Sequence, residues 1–354
     1  MEHVDPETGR ILLGQGSRTG EGKGQAFLFD DRHVLFGKLR PYLRKIALPR
    51  QAGCASMELI PLLPDSRRLD RRYLFHWVRR QTVIDTLMAK NTGARMPRAD
   101  MSVLLDMPIS LPPLDEQRRI VSLLDRAADI RRRADAARAK ARAIVPALFL
   151  DMFGDPGTNP KGWAVVSVAD VLRQASYGTS QKADSHGAGI PVIRMGNVTT
   201  DGRLNTDDLK FVELPAAERE RVELLPGDLI FNRTNSKELV GKTGLWDGRF
   251  NAVAASYFIR MRVDPERVDP MYIWAFFNTS HMKQTLFAAA RGAIGQANIN
   301  GKELRAFRLG LPPLPLQTGF AEQARRIEST ARALDAAAAK AEAMAAALSH
   351  EIFR

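Results

Sequence analysis

Asp208-Leu209-Lys210 has the D-x-K spacing of metal-dependent nucleases, in which a carboxylate holds the metal and a lysine faces the phosphate. No companion acid stands in a strand context around it. Gly241-Lys242-Thr243-Gly244 resembles the end of a phosphate loop, but the first glycine of G-x-x-x-x-G-K-[ST] would fall at Ser236, so a turn is the expected role. There is no G-x-G-x-x-G, no Asn-Pro-Pro-aromatic run of the kind amino-methyltransferases carry, and no Ser/His/Asp grouping that spacing alone assigns. The six histidines are scattered without HExxH or comparable metal spacing, and the single Cys54 excludes an internal disulfide or a cysteine-based zinc cluster. These residues read as a non-catalytic chain, with no metal and no cofactor of its own.

With 354 residues, 45% of them hydrophobic, the chain is long enough for two domains with real cores. Its formal net charge of +12 points to an anionic partner, most often nucleic acid. No signal peptide and no apolar run of the ~18 residues a membrane span needs are found, so a cytoplasmic location is expected.

One stretch organises the rest because it occurs twice. Leu111 to Phe153 returns at Leu311 to Phe353 without a gap, 200 residues on. Leu111-Pro112-Pro113-Leu114 pairs with Leu311-Pro312-Pro313-Leu314, Gln117 with Gln317, and Phe153 with Phe353. Such a repeat means a duplicated architecture. Both copies read as helices of roughly 55–60 Å at about 1.5 Å per residue. Ile120, Leu123, Ala127, Ile130, Ala134, Ala137, Ala141, Ile144 and Leu148 step by alternating three and four residues, the seam of a coiled coil. The second seam is Phe320, Gln323, Ile327, Thr330, Leu334, Ala337, Ala341, Met344 and Leu348. The helix-pairing residues are therefore Ile120, Leu123, Ile130, Ile144 and Leu148 against Ile327, Leu334, Met344 and Leu348. Asp115 is expected to cap the first helix, Pro315 suits the first turn of the second, and Pro146 is expected to kink or end the first. A dimerisation coiled coil would show the same pattern; a globular segment before each helix favours pairing within one chain.

Those segments repeat as well. Residues 1–110 carry strand-like runs at Ala26–Phe29, His33–Phe36 and Ser56–Ile60, a helix from Asp70 to Lys90, a glycine loop over residues 91–98 and a strand from Met107 to Leu111. Residues 154–310 answer with Leu229-Ile230-Phe231, Ala254-Ala255-Ser256, a helix from Met271 to Ala290 and the loop 291–298. The division expected is two recognition segments, 1–110 and 154–310, each followed by a spacer helix, 111–153 and 311–354. Met1 to Arg10 aligns with Met195 to Arg203 at an offset near 194, leaving some thirty residues after Gly162 without a counterpart. The expectation is that the first domain is incomplete at its N-terminus, by truncation or a start codon placed too late.

LPPLDEQRRI at Leu111, LFLDMFGDP at Leu148, IPVIRMGNV at Ile190, PGDLIFNRTNS at Pro226 and GAIGQANI at Gly292 together resemble the specificity subunit of type I restriction–modification systems, over essentially the whole chain. Pro315-Leu316-Gln317 departs from that family's pattern, which has an acidic residue before the glutamine. The resemblance implies an α+β fold with two target recognition domains joined by two long antiparallel coiled-coil helices. It implies a non-catalytic, DNA-binding subunit that reads a bipartite target. It implies two modification subunits as partners, which methylate adenine with S-adenosylmethionine, and restriction subunits that use ATP and Mg. A stand-alone coiled-coil DNA-binding or interaction adaptor, without a methyltransferase partner, is the alternative, and a nuclease around Asp208 and Lys210 the third reading.

The repeated positions then supply candidate DNA contacts. In segment one they are Lys38, Arg40, Arg44 and Lys45 after the first central strand, with Arg95 and Arg98 in the glycine loop. In segment two they are Asn232, Arg233, Asn235, Lys237 and Lys242, with Arg291, Gln296 and Asn298 in the loop, and Tyr177. Arginine can fork onto guanine and Asn or Gln onto adenine, whereas lysine more often neutralises phosphate. Arg131-Arg132-Arg133 reads as a solvated helix face, or as a docking or phosphate-contacting patch.

Overall fold

The computed structural model describes residues 3–6, 8–11, 26–89, 96–185, 187, 189–290 and 297–353. It divides into two compact units, Met1–Asp135 with Asp335–Arg354, and Ala136–Leu334. Each unit thus contains one globular segment, half of one long helix and half of the other.

Unit 1 holds strands β1 (Ala26–Phe29), β2 (Val34–Gly37), β3 (Ile46–Ala47), β4 (Gly53–Ser56) and β5 (Leu59–Leu62). β1 and β4 form an antiparallel pair, and β2 is the centre of the antiparallel order β3-β2-β5. β2 is buried along its whole length, which is why it reads as an unbroken apolar run. The expected strand Ser56–Ile60 is instead a turn at Met57-Glu58 between β4 and β5. Helices α1 (Arg71–Val78), α2 (Gln81–Met88) and α3 (Met101–Asp106) follow, and then α4 (Leu114–Phe153). The Asp70 carboxylate caps α1 by accepting from the N–H groups of Arg72 and Tyr73, and Asp100 caps α3.

Unit 2 adds β6 (Ala164–Ser167), β7 (Leu172–Tyr177), β8 (Ile190–Ile193), β9 (Lys210–Val212), α5 (Ala216–Val222), β10 (Leu229–Asn232), β11 (Thr234–Asn235), β12 (Thr243–Leu245), β13 (Val253–Ala254) and β14 (Phe258–Val263). It continues with α6 (Pro270–Phe277), α7 (Ser280–Ala289), β15 (Ala297–Asn298), α8 (Gly301–Ala306), β16 (Arg308–Leu311) and α9 (Leu314–Ile352). Its main sheet, β12-β10-β14-β7, repeats β3-β2-β5 and extends it by β7. The helix expected over Met271–Ala290 is broken in two, because Thr279 in mid-run caps a new helix by accepting from the N–H of Met282. Unit 1 breaks at the corresponding Arg79-Arg80, where Arg80 is extended.

The stretches that align at an offset near 194 each form a bridged turn. Val4 bridges Ile11 and Val198 bridges Leu204, with Gly9 and Gly202 at the turn at φ 65° and 79°. Left-handed φ favours glycine, and a Cβ at Gly9 would also lie 2.5 Å from the Phe75 ring. The strand expected at Met107–Leu111 is not one, whereas its counterpart β16 is. β16 pairs with β6, which belongs to the segment without a counterpart in unit 1.

The long helices run antiparallel within each unit. In unit 1 the start of α4 and the end of α9 share a core of Ile120, Val121, Leu124 and Phe353 with α1, and Arg131 pairs with Glu342. In unit 2 Phe149 and Phe153 from the end of α4 pack on Phe320 near the start of α9, with ring centroids 5.8 and 5.3 Å apart. α4 continues through Pro146, so the helix does not end there, with Val145 and Phe149 on either side buried in the unit 2 core. Asp115 lies inside the first turn rather than at the cap, where it pairs with Arg118 at 3.0 Å.

The seam also differs from the heptad reading. Leu123, Ile130, Ile144 and Met344 are exposed; Leu148, Ile327, Leu334 and Leu348 are half-buried; Ile120 is buried. The buried line on α4 runs through Gln117, Ile120, Val121, Leu124, Ala134, Ala141, Val145, Phe149 and Phe153. Its steps of four after Ala141 follow the 3.6-residue period of an ordinary helix, which drifts about 20° per heptad from a 3.5-residue seam.

Candidate nucleic-acid interface

In both units the central strand leaves its sheet and meets the residues that lead into a short capped helix. In unit 1 the Lys38 carbonyl accepts from the N–H of Ala99, the N–H of Arg40 donates to the Pro97 carbonyl, both at 2.7 Å, and Leu39 bridges Arg98. In unit 2 the Arg233 carbonyl accepts from the N–H of Ile299 at 2.9 Å, and Thr234 pairs with Asn298. The repeat therefore places Lys38, Arg40 and Arg98 where Arg233, Asn235 and Asn298 stand.

Around the unit 1 crossing, Arg40 and Arg44 bracket a single 3-10 turn, Pro41–Leu43, with φ of 51° and 48°. Two left-handed non-glycine residues this close hold a constrained loop, at roughly 1–2 kcal/mol each. Arg44 donates to the Gln81 Oε1, and Arg98 to Glu58 at 3.2 Å. Lys45 lies half-buried beside them, its carbonyl accepting from the N–H of Gly37. Arg95 lies outside the described residues, as do Arg291 and Gln296.

In unit 2 Tyr177 ends β7 with its ring exposed, and the Arg233 guanidinium lies over that ring, 4.9 Å from the centroid. The Tyr177 hydroxyl accepts from the N–H of Gly301 at the start of α8. Lys237 is exposed and sits over the Phe287 ring at 4.6 Å. Asn298 accepts from the Thr234 hydroxyl at 3.2 Å.

Three candidates are committed to the fold instead. Asn232 is fully buried, donating to the carbonyls of Thr234 and Tyr257 and accepting from Asn235 at 2.7 Å. Asn235 thereby spends its amide nitrogen on Asn232, and its Oδ1 accepts from the N–H of Ser236. The Lys242 ammonium donates to the carbonyls of Met195 and Val198 at 2.9 and 2.6 Å, and burial pushes its pKa down. Side-chain type alone does not distinguish these from solvent-facing groups. Tyr257, exposed next to Arg233, escapes the sequence reading; its only signal there is an aromatic in the turn between β13 and β14.

Of the residues read for catalysis, Gly241 and Lys242 pair with Asn232 beside the crossing. Asp208 is exposed and bound by Arg194 at 2.9 Å, while Gly241 closes a turn before β12. Among the described residues no three His, Cys, Asp or Glu are grouped to hold a metal. The Arg131-Arg132-Arg133 run is paired within unit 1: Arg131 with Glu342, Arg132 and Arg133 with Asp129 at 3.0 and 2.7 Å. No helix among the described residues is long and apolar enough to cross a membrane.

Comparison with known proteins points in one direction. Residues 8–133 match the family profile described as type I restriction modification DNA specificity domain. The chain is 26% identical over 345 residues to the type I restriction enzyme EcoKI specificity subunit of Escherichia coli K12, covering 92% of this chain and 68% of that protein. It is 24% identical over 168 residues to the putative type I restriction enzyme MjaX specificity subunit of Methanocaldococcus jannaschii, covering 47% of this chain and 39% of that one. Among solved structures, the type I restriction–modification system S subunit from M. genitalium is similar with a TM-score of 0.65 at 10% identity, over all of this chain and 91% of that one. A chain from a study of complex assembly and conformational transition of the type I system has a TM-score of 0.55 at 20% identity, over all of this chain and 90% of its own. At such identities these two structures support the fold: two globular segments and paired long helices.

Proposed function

Because the chain belongs to the type I restriction–modification specificity subunits, we propose that it reads a bipartite DNA target, one half through each unit's crossing. The observation that carries this reading is the duplicated crossing itself. The same backbone pairing presents Lys38, Arg40 and Arg98 in one unit and Arg233 and Asn298 in the other. Two different side-chain sets on one repeated frame are what an asymmetric split sequence calls for, since base edges are told apart by donor and acceptor pattern.

In this reading the chain contributes recognition and no covalent chemistry. Two modification subunits dock on the paired helices and methylate adenine with S-adenosylmethionine. Restriction subunits join them and use ATP and Mg to translocate and cleave, so all three cofactors belong to partners. The complex works in the cytoplasm. The net charge of +12 supplies the general attraction to the phosphate backbone.

The test is reconstitution. The purified chain, mixed with a type I modification subunit from the same host, is expected to form a complex with two modification subunits per chain. That complex should transfer labelled methyl groups from S-adenosylmethionine to DNA only when this chain is present. A chain that binds no modification subunit, or a modification subunit equally active and equally selective alone, would overturn the reading.

A further inference from the structure

Arg233 lacks the carboxylate partner that several arginines of its unit have. Arg194, Arg203, Arg249 and Arg262 are each paired with a carboxylate, on Asp208, Glu328, Asp247 and Asp228. Arg233 has no carboxylate among the described residues, and its Nε is buried without a hydrogen-bond partner. Its guanidinium carbon lies instead over the Tyr177 ring, 4.9 Å from the centroid. That ring is itself fixed at two ends: its backbone by pairing of Tyr177 with Ile259 in β14, its hydroxyl by the N–H of Gly301.

A buried guanidinium nitrogen with no acceptor is costly unless a partner arrives on binding. Stacking on an aromatic face fixes the plane of the fork and lowers the entropy lost when it binds. A fork of fixed plane suits a planar pair of acceptors at fixed separation. Guanine offers such a pair in the major groove as O6 and N7, whereas a phosphate accepts from any direction and gains little from a fixed plane. Unit 1 has Lys38 at the equivalent place, a flexible point charge without this geometry.

We infer that the Tyr177–Arg233 pair is the guanine-reading element of the second half-site, with Arg233 as the base-contacting residue and Tyr177 as the positioning residue. The inference rests on the proposed function and deepens it. Arg233 donates both hydrogen bonds to one guanine edge, and Tyr177 holds the guanidinium in the plane that makes both possible. Among the described residues of the unit 1 crossing no arginine lies over an aromatic ring.

The experiment is single-molecule methylation sequencing of cells carrying the full chain with its modification subunit, as wild type and as Arg233→Lys, Tyr177→Leu and Tyr177→Phe. Arg233→Lys keeps the charge and removes the fork. It is expected to relax one G·C position of the second half-site by about 5- to 150-fold in site preference, leaving every other position unchanged. Tyr177→Leu should relax that same position, and Tyr177→Phe, which keeps the ring, should retain the full motif. An unchanged motif in Arg233→Lys, methylation lowered evenly at all sites as for a phosphate contact, or total loss of methylation would each overturn the inference. If the wild type directs no split motif at all, the functional reading itself fails, and that outcome is distinguishable from the others.

Discussion

Gln317 accepts a hydrogen bond from the backbone N–H of Asp269 through Oε1 at 3.0 Å, and 200 residues earlier Gln117 does the same for Asp70 at 2.8 Å. Both glutamines are fully buried. Each also donates from Nε2 to the proline carbonyl five residues upstream, Pro312 at 2.7 Å and Pro112 at 2.8 Å. Since Asp70 and Asp269 are the caps of α1 and α6, one side chain ties the start of each long helix to the start of the helix that carries each globular core.

Replacing either glutamine by leucine orphans a buried N–H and a buried carbonyl, at about 1–3 kcal/mol per group. Gln117→Leu and Gln317→Leu should each lower the denaturant midpoint of their own unit, and Gln→Glu should do so further at neutral pH by setting a carboxylate against a carbonyl. Equilibrium urea unfolding of the variants checks this. An unchanged midpoint would mean that the latch contributes nothing.

The same junctions carry a tyrosine each. The Tyr73 hydroxyl donates to the Ser110 carbonyl at 3.0 Å and the Tyr272 hydroxyl to the Gly310 carbonyl at 2.5 Å. Burial pushes the Tyr73 phenol up from 10.0 to about 12 and raises that of Tyr272 as well. A raised folded pKa gives stability that is complete below pH 10 and lost as pH rises through about 12. Tyr73→Phe should remove the unit 1 part of that alkaline loss, read by fluorescence-monitored unfolding across the window.

In unit 2 the hairpin is tied to α9 by Arg203, which donates to both carboxylate oxygens of Glu328, at 3.1 and 2.6 Å, and also to Asp201. Burial pushes the Asp201 carboxyl up, but the Thr199 hydroxyl and the Arg203 guanidinium outweigh it and hold it below 3.8. A depressed carboxyl stabilises the fold above its unfolded pKa, and that stability is lost as pH falls from 3.8 through the lower folded value. Arg203→Met should destabilise unit 2 by about 3 kcal/mol at neutral pH. It should also flatten the acid limb of the stability profile; a variant with the wild-type acid limb would contradict the assignment.

Two of the four lysines picked out for DNA contact should separate. Lys242→Met should lower thermal stability while leaving the salt dependence of DNA binding unchanged, because its ammonium is spent on two carbonyls. Lys38→Ala should reduce the slope of log affinity against log salt by about one, as expected when one phosphate is no longer neutralised. Fluorescence anisotropy across a salt series reads both.

The repeat and the two long helices are legible in the sequence because they rest on spacing: Gln117 with Gln317 and Phe153 with Phe353. The helix seam is misread at Ile130 and Ile144 because alanine-rich heptads fit a 3.5 and a 3.6 period almost equally well over one or two turns, and the drift shows only over five. Asn232 and Lys242 are misassigned because burial of a polar side chain depends on which carbonyls surround it, information that lies 25 and 44–47 residues away. The Tyr177–Arg233 stack is invisible for the same reason, since it joins β7 to the end of β10 across the sheet.

The central claim, that this chain directs a methyltransferase to a split sequence, is tested most directly by single-molecule methylation sequencing of DNA from cells of its native host, compared with a deletion of the chain. The expected result is a bipartite adenine-methylated motif with two unlike halves that disappears on deletion. Methylation that persists unchanged after deletion, or a motif with one half only, would contradict it.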